Sequence, residues 1–184
     1  MPGTIRTIVA LLVAIPLLLP VCAAPIEGDT GGHHTVLLRD REYFAALREA
    51  IDEARSEIVM AFFLFKTRED GKTPPDILLR HLIKAAHRGV AIRILLERGK
   101  NAASTVDETN RKTAQRLREQ GIDVSFDTPR RTTHTKVVVI DRRYTFLGSH
   151  NLTSSALRYN HELSLVVDSP ELAMETLRYM NTLH

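Results

Sequence analysis

The chain alternates between short apolar runs and longer stretches in which apolar residues recur every three or four positions. The short runs predict strands at 36–38, 58–65, 91–96 and 122–126. The periodic stretches predict helices that begin after Asp40, at Pro74 and near Asp107. Because strands that alternate with helices are typical of parallel pairing with right-handed crossovers, this part of the chain predicts an α/β unit.

The pattern changes in the last third of the chain. Residues 137–140 and 144–147 are apolar, and only Asp141-Arg142-Arg143 separates them. This spacing predicts an antiparallel hairpin, since a parallel crossover needs a longer connection. A short helix near 152–157, a strand at 163–167 and a final helix after Ser169-Pro170 complete the pattern. We therefore expect one α/β domain over residues 35–184, with a mixed sheet flanked by helices on both faces.

The first 34 residues are expected to precede that domain. Arg6 comes before an almost uninterrupted apolar run at 7–21, and small residues follow up to Ala23. This is the pattern of a secretory signal peptide (residues 1–23) cleaved after Ala23, which predicts a periplasmic or secreted protein. An uncleaved membrane anchor is the alternative, although the run is shorter than the roughly 20 residues that span a bilayer. Residues 24–34 are rich in glycine and polar side chains and predict a flexible lead-in.

Composition excludes several kinds of chemistry. The only cysteine, Cys22, lies inside the predicted signal segment, so the mature protein would have no disulfide, thiolate nucleophile or cysteine-based zinc site. The net charge of +3 permits a polyanionic partner without requiring one. Tryptophan is absent and aromatic residues make up 5% of the chain, which counts against an aromatic belt for membrane docking.

A group of polar residues lies at one end of the predicted hairpin. His134 and Lys136 are two positions apart, so a strand would place both side chains on one face. The turn would then fold Ser149 and Asn151 back towards them. A neutral imidazole can attack phosphorus, and ammonium, hydroxyl and amide groups can hold the non-bridging oxygens. The group therefore suits the chemistry of a phosphate diester.

Other polar residues near this group are weaker candidates for contact with the substrate. Asp141 is an odd number of residues from His134, which points it to the opposite face of a regular strand, and we interpret it as structural support. Arg131 and neighbouring arginines offer charge for the backbone of a nucleic acid, or else form a solvated surface. His150 lies between Ser149 and Asn151 and is a minor candidate for lining the substrate pocket.

The full string matches the H-x-K-x4-D-x6-G-S-x-N signature of the phospholipase D superfamily at every fixed position. Residues 54–60, 85–95 and 160–162 also resemble segments of that family. The resemblance implies a phosphodiesterase that forms a phosphohistidine and needs no metal or other cofactor. It implies His134 as the nucleophile, Lys136, Ser149 and Asn151 as phosphate ligands, and Glu162 as the residue that orients His134.

Larger members of the family carry two copies of the motif, whereas this sequence carries one. Small single-motif members, which include secreted bacterial endonucleases, form dimers that bring two histidines together. The resemblance thus implies a homodimer whose composite active site contains His134 of both subunits, and no stable partner of another kind. We expect a non-specific endonuclease for DNA, with RNA as a further substrate. The alternatives are a phospholipase D acting on phospholipid headgroups and a non-catalytic phosphodiester-binding protein.

Overall fold

The computed structural model describes residues 27–30, 33–99, 104–128 and 130–183, so the predicted signal peptide lies outside the described residues. The described elements, in chain order, are β1 (Glu27–Thr30), β2 (His33–Arg39), α1 (Arg41–Glu53), β3 (Glu57–Phe62), α2 (Pro74–His87), β4 (Ala91–Leu96), α3 (Thr105–Arg118), β5 (Asp123–Phe126), β6 (Lys136–Ile140), β7 (Tyr144–Gly148), α4 (Ser154–Arg158), β8 (Leu163–Asp168) and α5 (Pro170–Met180).

The described strands form one mixed sheet in the order β1-β2-β8-β7-β6-β3-β4-β5. Strands β3, β4 and β5 are parallel to one another, with α2 and α3 as the connecting helices. The other neighbouring pairs are antiparallel, including the β6–β7 hairpin. The predicted α/β class with a mixed sheet is therefore confirmed.

Helices cover both faces of the sheet, as the sequence predicts. On one face, Met60 of β3 and Val138 of β6 pack in a core with residues of α1, α2, α3 and α4. On the other face, Val59 and Val139 of the same two strands pack against α5. The two central strands are thus buried on both sides, which explains why their sequences are almost uniformly apolar.

The helices begin where their capping residues place them. Thr73 and Asp76 form a capping box at the start of α2, and Pro74 and Pro75 lie between them as the first two residues of the helix. Ser169 caps α5 by accepting a hydrogen bond from the backbone N–H of Leu172. These signals are local, so the sequence alone locates both helix starts. Among the described residues, no helix has the length and apolar content needed to cross a membrane.

The lead-in predicted for residues 24–34 is wrong where the structure describes it. Glu27–Thr30 is strand β1, and it pairs with a β2 strand that begins at His33 rather than at residue 36. Strand β2 in turn pairs with β8, from His34 opposite Asp168 to Arg39 opposite Leu163. Backbone pairing at a sheet edge needs no apolar side chain, so polar composition does not exclude a strand there.

Candidate active site

All the residues of the signature except Asp141 lie in segments that meet at one edge of the sheet. Strand β6 begins at Lys136, opposite Phe62 at the end of β3. Strand β7 ends at Gly148, opposite Ser164 near the start of β8. Because the β6–β7 hairpin folds back on itself, the segments before β6 and after β7 lie side by side. The structure therefore brings His134, Lys136 and Ser149 to the same edge.

Lys136 is the most enclosed charge of this group. Its side chain is only 8% exposed, and its Nζ donates a hydrogen bond of 2.7 Å to the backbone carbonyl of His134. Burial lowers the pKa of Lys136, and the nearby Glu162 carboxylate opposes that shift by favouring the ammonium. Glu162 thus acts electrostatically on the charge that would hold a phosphate.

Phe63 contacts both principal side chains. Its ring centroid is 4.8 Å from that of the His134 imidazole and 5.3 Å from Lys136 Nζ. The aromatic face offers the ammonium a cation–π contact. Sequence reasoning missed Phe63, because it was one apolar residue within the run at 58–65 with no signal of its own.

His134 itself is exposed and lines a cavity of about 360 Å³. Arg131 lines the same cavity, so the structure places this predicted substrate-binding residue beside the predicted nucleophile. An exposed imidazole in a cavity is accessible to a phosphate diester, whereas Lys136 is only 8% exposed. The two side chains therefore have the accessibility that their proposed roles require.

Ser149 and Glu162 are directly bonded. The Ser149 hydroxyl donates to the Glu162 carboxylate and accepts a hydrogen bond of 3.1 Å from the backbone N–H of Leu163. Asn160 Nδ2 donates to the other carboxylate oxygen of Glu162 at 3.0 Å. The orientation of His134 by Glu162 stays a prediction, since the described hydrogen bonds of this carboxylate are with Ser149 and Asn160.

Asn151 is held in place by its neighbours while its amide oxygen stays unused. The backbone of Leu152 bonds to Leu64 and Lys66, at 3.0 and 2.9 Å, which fixes the segment against the end of β3. Asn151 Oδ1 is buried and has no hydrogen-bond partner in the described part of the chain. Unpaired buried polar atoms are costly and are concentrated at functional sites. The fold thus positions the Asn151 side chain and leaves its amide oxygen without a hydrogen bond to the described residues.

His150 corrects the sequence interpretation. Its side chain is 0% exposed and stacks on Tyr43, with the ring centroids 4.4 Å apart. Its Nδ1 is 2.7 Å from Ser164 Oγ, and its Nε2 is 2.8 Å from the backbone carbonyl of Asp40. Burial lowers its pKa and so favours the neutral ring. With both nitrogens engaged inside the core, His150 cannot line the substrate pocket, so that prediction is wrong.

Two buried carboxylates hold the loop that carries His134. The backbone N–H of Thr133 donates to Glu97 at 2.7 Å, and the Thr133 hydroxyl donates to Asp127. Glu97 and Asp127 are 3% and 6% exposed and directly follow the parallel strands β4 and β5. Sequence reasoning missed both residues. Their signal was an acidic residue immediately after each apolar strand, at the edge where open α/β sheets place their sites.

Asp141 lies at the opposite end of β6, in the hairpin turn. Its carboxylate accepts four hydrogen bonds of 2.8–3.0 Å from residues 55–57: the backbone N–H groups of Arg55, Ser56 and Glu57, and the Ser56 hydroxyl. Burial alone would raise the pKa of Asp141, but the hydrogen bonds outweigh it and hold the pKa below the ordinary 3.8. The structure thus places this residue as a clasp between the turn and the start of β3.

Replacing Asp141 with asparagine is expected to destabilise the fold by about 2 kcal/mol at neutral pH, because an amide cannot accept all of these bonds. The lowered pKa means that the wild-type carboxylate stabilises the fold above the unfolded-state pKa. That contribution disappears as pH falls below about 4, through the folded-state pKa. Urea unfolding of both proteins at pH 7 and pH 3 should therefore give a difference that shrinks in acid. A variant of unchanged stability would contradict the clasp.

The fold and the site together define an α/β protein with a His–Lys–Asn group at the edge of a mixed sheet. The chain belongs to the phospholipase D superfamily, since the family model described as the PLD-like domain of cardiolipin synthase matches residues 47–184. It is 36% identical over 99 residues to a phospholipase D of Rickettsia felis, an alignment covering 53% of this chain and 46% of that protein. It is 31% identical over 123 residues to cardiolipin synthase A of Serratia proteamaculans, covering 67% of this chain and 24% of that one.

Two solved structures share the fold. Nuc from Salmonella typhimurium, a phospholipase D family member, superposes with a TM-score of 0.68 at 23% identity, covering 82% of this chain and 93% of Nuc. NucT from Helicobacter pylori gives a TM-score of 0.63 at 18% identity, covering 82% and 95%. The chain spans about half the length of the phospholipases D that it matches, but nearly all of these two proteins.

Proposed function

We propose that the protein is a metal-independent phosphodiesterase, and that it acts as a non-specific endonuclease on DNA and RNA. One observation carries the proposal: the exposed His134 imidazole, which lines a cavity, and the enclosed Lys136 ammonium both contact the ring of Phe63. Displacement at phosphorus requires a nucleophile that attacks the phosphorus atom and a nearby positive charge that stabilises the non-bridging oxygens. The net charge of +3 and the exposed Arg131 favour a polyanionic substrate.

The chemistry proceeds in two displacements. His134 attacks phosphorus with a ring nitrogen, a P–N bond forms, and the P–O bond to the leaving group breaks. Lys136, together with Ser149 and Asn151, holds the non-bridging oxygens as negative charge develops. A second acid must protonate the leaving oxygen, and its conjugate base then activates the water that breaks the P–N bond. The products are a phosphate monoester and a free hydroxyl, and His134 is regenerated.

The second acid is His134 of another subunit. His150 is buried in the core, so it cannot protonate a leaving group at the cavity. His161 is exposed, but its Nδ1 lies 3.5 Å from Asp40 and it is not among the residues that line the cavity. A two-fold dimer provides the missing group, because an isologous interface brings the same residue from each subunit to the axis. The composite site then contains two imidazoles, one from each subunit.

A phospholipase D is the second candidate, favoured by the names of the relatives that are at least 30% identical. The chemistry would be the same with a lipid diester in the cavity.

For either function, the apolar run at 7–21 supports a periplasmic or secreted location.

A substrate panel in excess EDTA tests the activity. Purified protein should cut plasmid DNA and single-stranded RNA, and should release little choline from phosphatidylcholine vesicles. Choline release without nucleic-acid cleavage would reverse the order of the two candidates. Loss of all activity in EDTA, restored by a divalent cation, would refute the metal-independent mechanism.

Mixed dimers test the composite site. Wild-type protein and the His134→Ala variant are unfolded together, refolded at different ratios and assayed. If each site needs both histidines, activity falls as the square of the wild-type fraction. A linear decrease would show that each subunit works alone. Sedimentation of the same samples checks that they are dimers, and an active monomer would refute the arrangement.

A further inference from the structure

The cavity that contains His134 extends onto two segments that the chemistry above does not use. One is the loop with Arg131 and Thr132, and the other is the end of α5 with Tyr179 and Thr182. The volume of about 360 Å³ is in the range of sites that hold a small organic ligand rather than a single phosphate group. The cavity therefore has room for what lies beside the scissile phosphate.

Tyr179 provides an exposed aromatic ring in this cavity. Helix α5 packs against the sheet through Ala173, Leu177 and Met180, and Tyr179 lies outside that buried row. Its side chain is 53% exposed. A tyrosine contributes little to the core in such a position, and about half of its side chain is accessible to a ligand in the cavity.

Arg131 provides an uncommitted charge. Arg142 and Arg143, which also flank the signature, form ion pairs with Glu57 and Asp168 at the far turn. Arg131 is exposed and forms no ion pair or hydrogen bond with the described residues. The one acidic side chain among the described lining residues, Asp127, is buried and bonded to Thr133. The guanidinium is therefore available to an anion.

We propose that Tyr179 and Arg131 form a nucleotide subsite beside the scissile phosphate. The tyrosine ring stacks on a base of a single-stranded nucleic acid, and the guanidinium binds a neighbouring phosphate. Stacking accepts any base, since every base has a π face, so the subsite gives binding without sequence preference. The subsite rests on the proposed phosphodiesterase function and specifies its substrate, because a phospholipid has no base to stack.

The test compares an oligonucleotide with an abasic strand of equal length, which keeps the backbone charge and lacks the bases. Binding is measured in EDTA by fluorescence anisotropy, on a His134→Ala background that prevents cleavage. Tyr179→Ala should raise Kd for the oligonucleotide about tenfold and leave Kd for the abasic strand unchanged. Tyr179→Phe should preserve both values. Equal effects of Tyr179→Ala on the two strands, or none, would overturn the stacking role.

Arg131→Gln should weaken binding of both strands and reduce the slope of log Kd against log salt by about one. Arg48→Gln is the matched control, since Arg48 is an exposed arginine on α1 outside the cavity, and it should leave the slope unchanged. An unchanged slope for Arg131→Gln would remove the phosphate contact. A shift of Tyr179→Ala to a smaller species in sedimentation would show that Tyr179 is a subunit contact instead, and would also overturn the subsite.

Failure of the parent function has a separate readout. If Tyr179→Ala weakens binding of the oligonucleotide as predicted but the wild-type protein cuts no nucleic acid, the subsite is supported and the proposed endonuclease activity is refuted. If the wild type cuts nucleic acid but Tyr179→Ala is neutral, the activity stands and the subsite falls.

Discussion

Replacing His134 with alanine is expected to lower kcat/KM for phosphodiester hydrolysis by about 10⁴- to 10⁶-fold. The variant loses the atom that forms the P–N bond, and in a composite site it loses the acid as well. Because His134 is exposed and its ring contact is with Phe63, the fold should remain intact, and urea unfolding should match the wild type. Activity is measured with a nitrophenyl phosphodiester in excess EDTA.

Lys136→Met is the matched variant for this comparison. It removes the charge but keeps a long apolar stem, and we expect a loss of about 10²- to 10³-fold. A wild-type reaction stopped with alkali should leave labelled phosphate on the protein, in a bond that acid breaks, and His134→Ala should carry no label. A His134→Ala enzyme that retains a tenth of the activity, or that still becomes labelled, would exclude this residue as the nucleophile.

Replacing Gly148 with alanine is expected to destabilise the protein by about 2–4 kcal/mol. A Cβ at this position would lie 2.5 Å from both the Leu163 carbonyl oxygen and Ser164 Cα, and closer still to Ser164 Oγ. The obstacles are backbone atoms of the neighbouring strand, which cannot rotate away. The β7–β8 pair would have to separate at the point where it presents Ser149 to Glu162. Unfolding in urea, followed by circular dichroism, measures the loss.

Gly121→Ala is the control for this variant. Gly121 has a φ of +76°, but a Cβ there would meet nothing within 4 Å, so only backbone strain of about 1 kcal/mol is expected. If Gly148→Ala were as mild as Gly121→Ala, the close approach of β7 and β8 would not be tight. A stable Gly148→Ala protein with full activity would also remove the argument that this glycine positions Ser149.

The sequence predicted those parts of the molecule that depend on local patterns. The apolar runs located β3, β4 and β5, and the short turn at Asp141 predicted the hairpin. Strand β3 was predictable because a strand buried on both faces needs apolar residues on both, and β4 and β5 were predictable because their buried face is apolar. The same logic failed for β1, where pairing at the edge depends on the backbone and leaves little mark on the side chains.

The site divides in the same way. His134, Lys136 and Asn151 were found because their spacing fixes their relative positions within one hairpin. Glu97 and Asp127 were not found, because they reach Thr133 across 36 and 6 residues of chain, and their position after a strand does not show which backbone or hydroxyl group they bind. His150 was misplaced for the opposite reason. Its neighbours Ser149 and Asn151 lie in the candidate site, but its own ring turns into the core to stack on Tyr43.

The clasp at Asp141 has a consequence for how the signature can vary. Side chains alternate between the faces of a strand, so a slip of one residue in the β6–β7 pairing would turn one row of side chains to the opposite side. By fastening the turn to residues 55–57, Asp141 fixes the phase of the hairpin against β3, and with it the relative positions of His134 and Asn151. Insertions between His134 and Asn151 should therefore not be tolerated. Within that interval the number of residues, as much as their identity, is part of the catalytic apparatus.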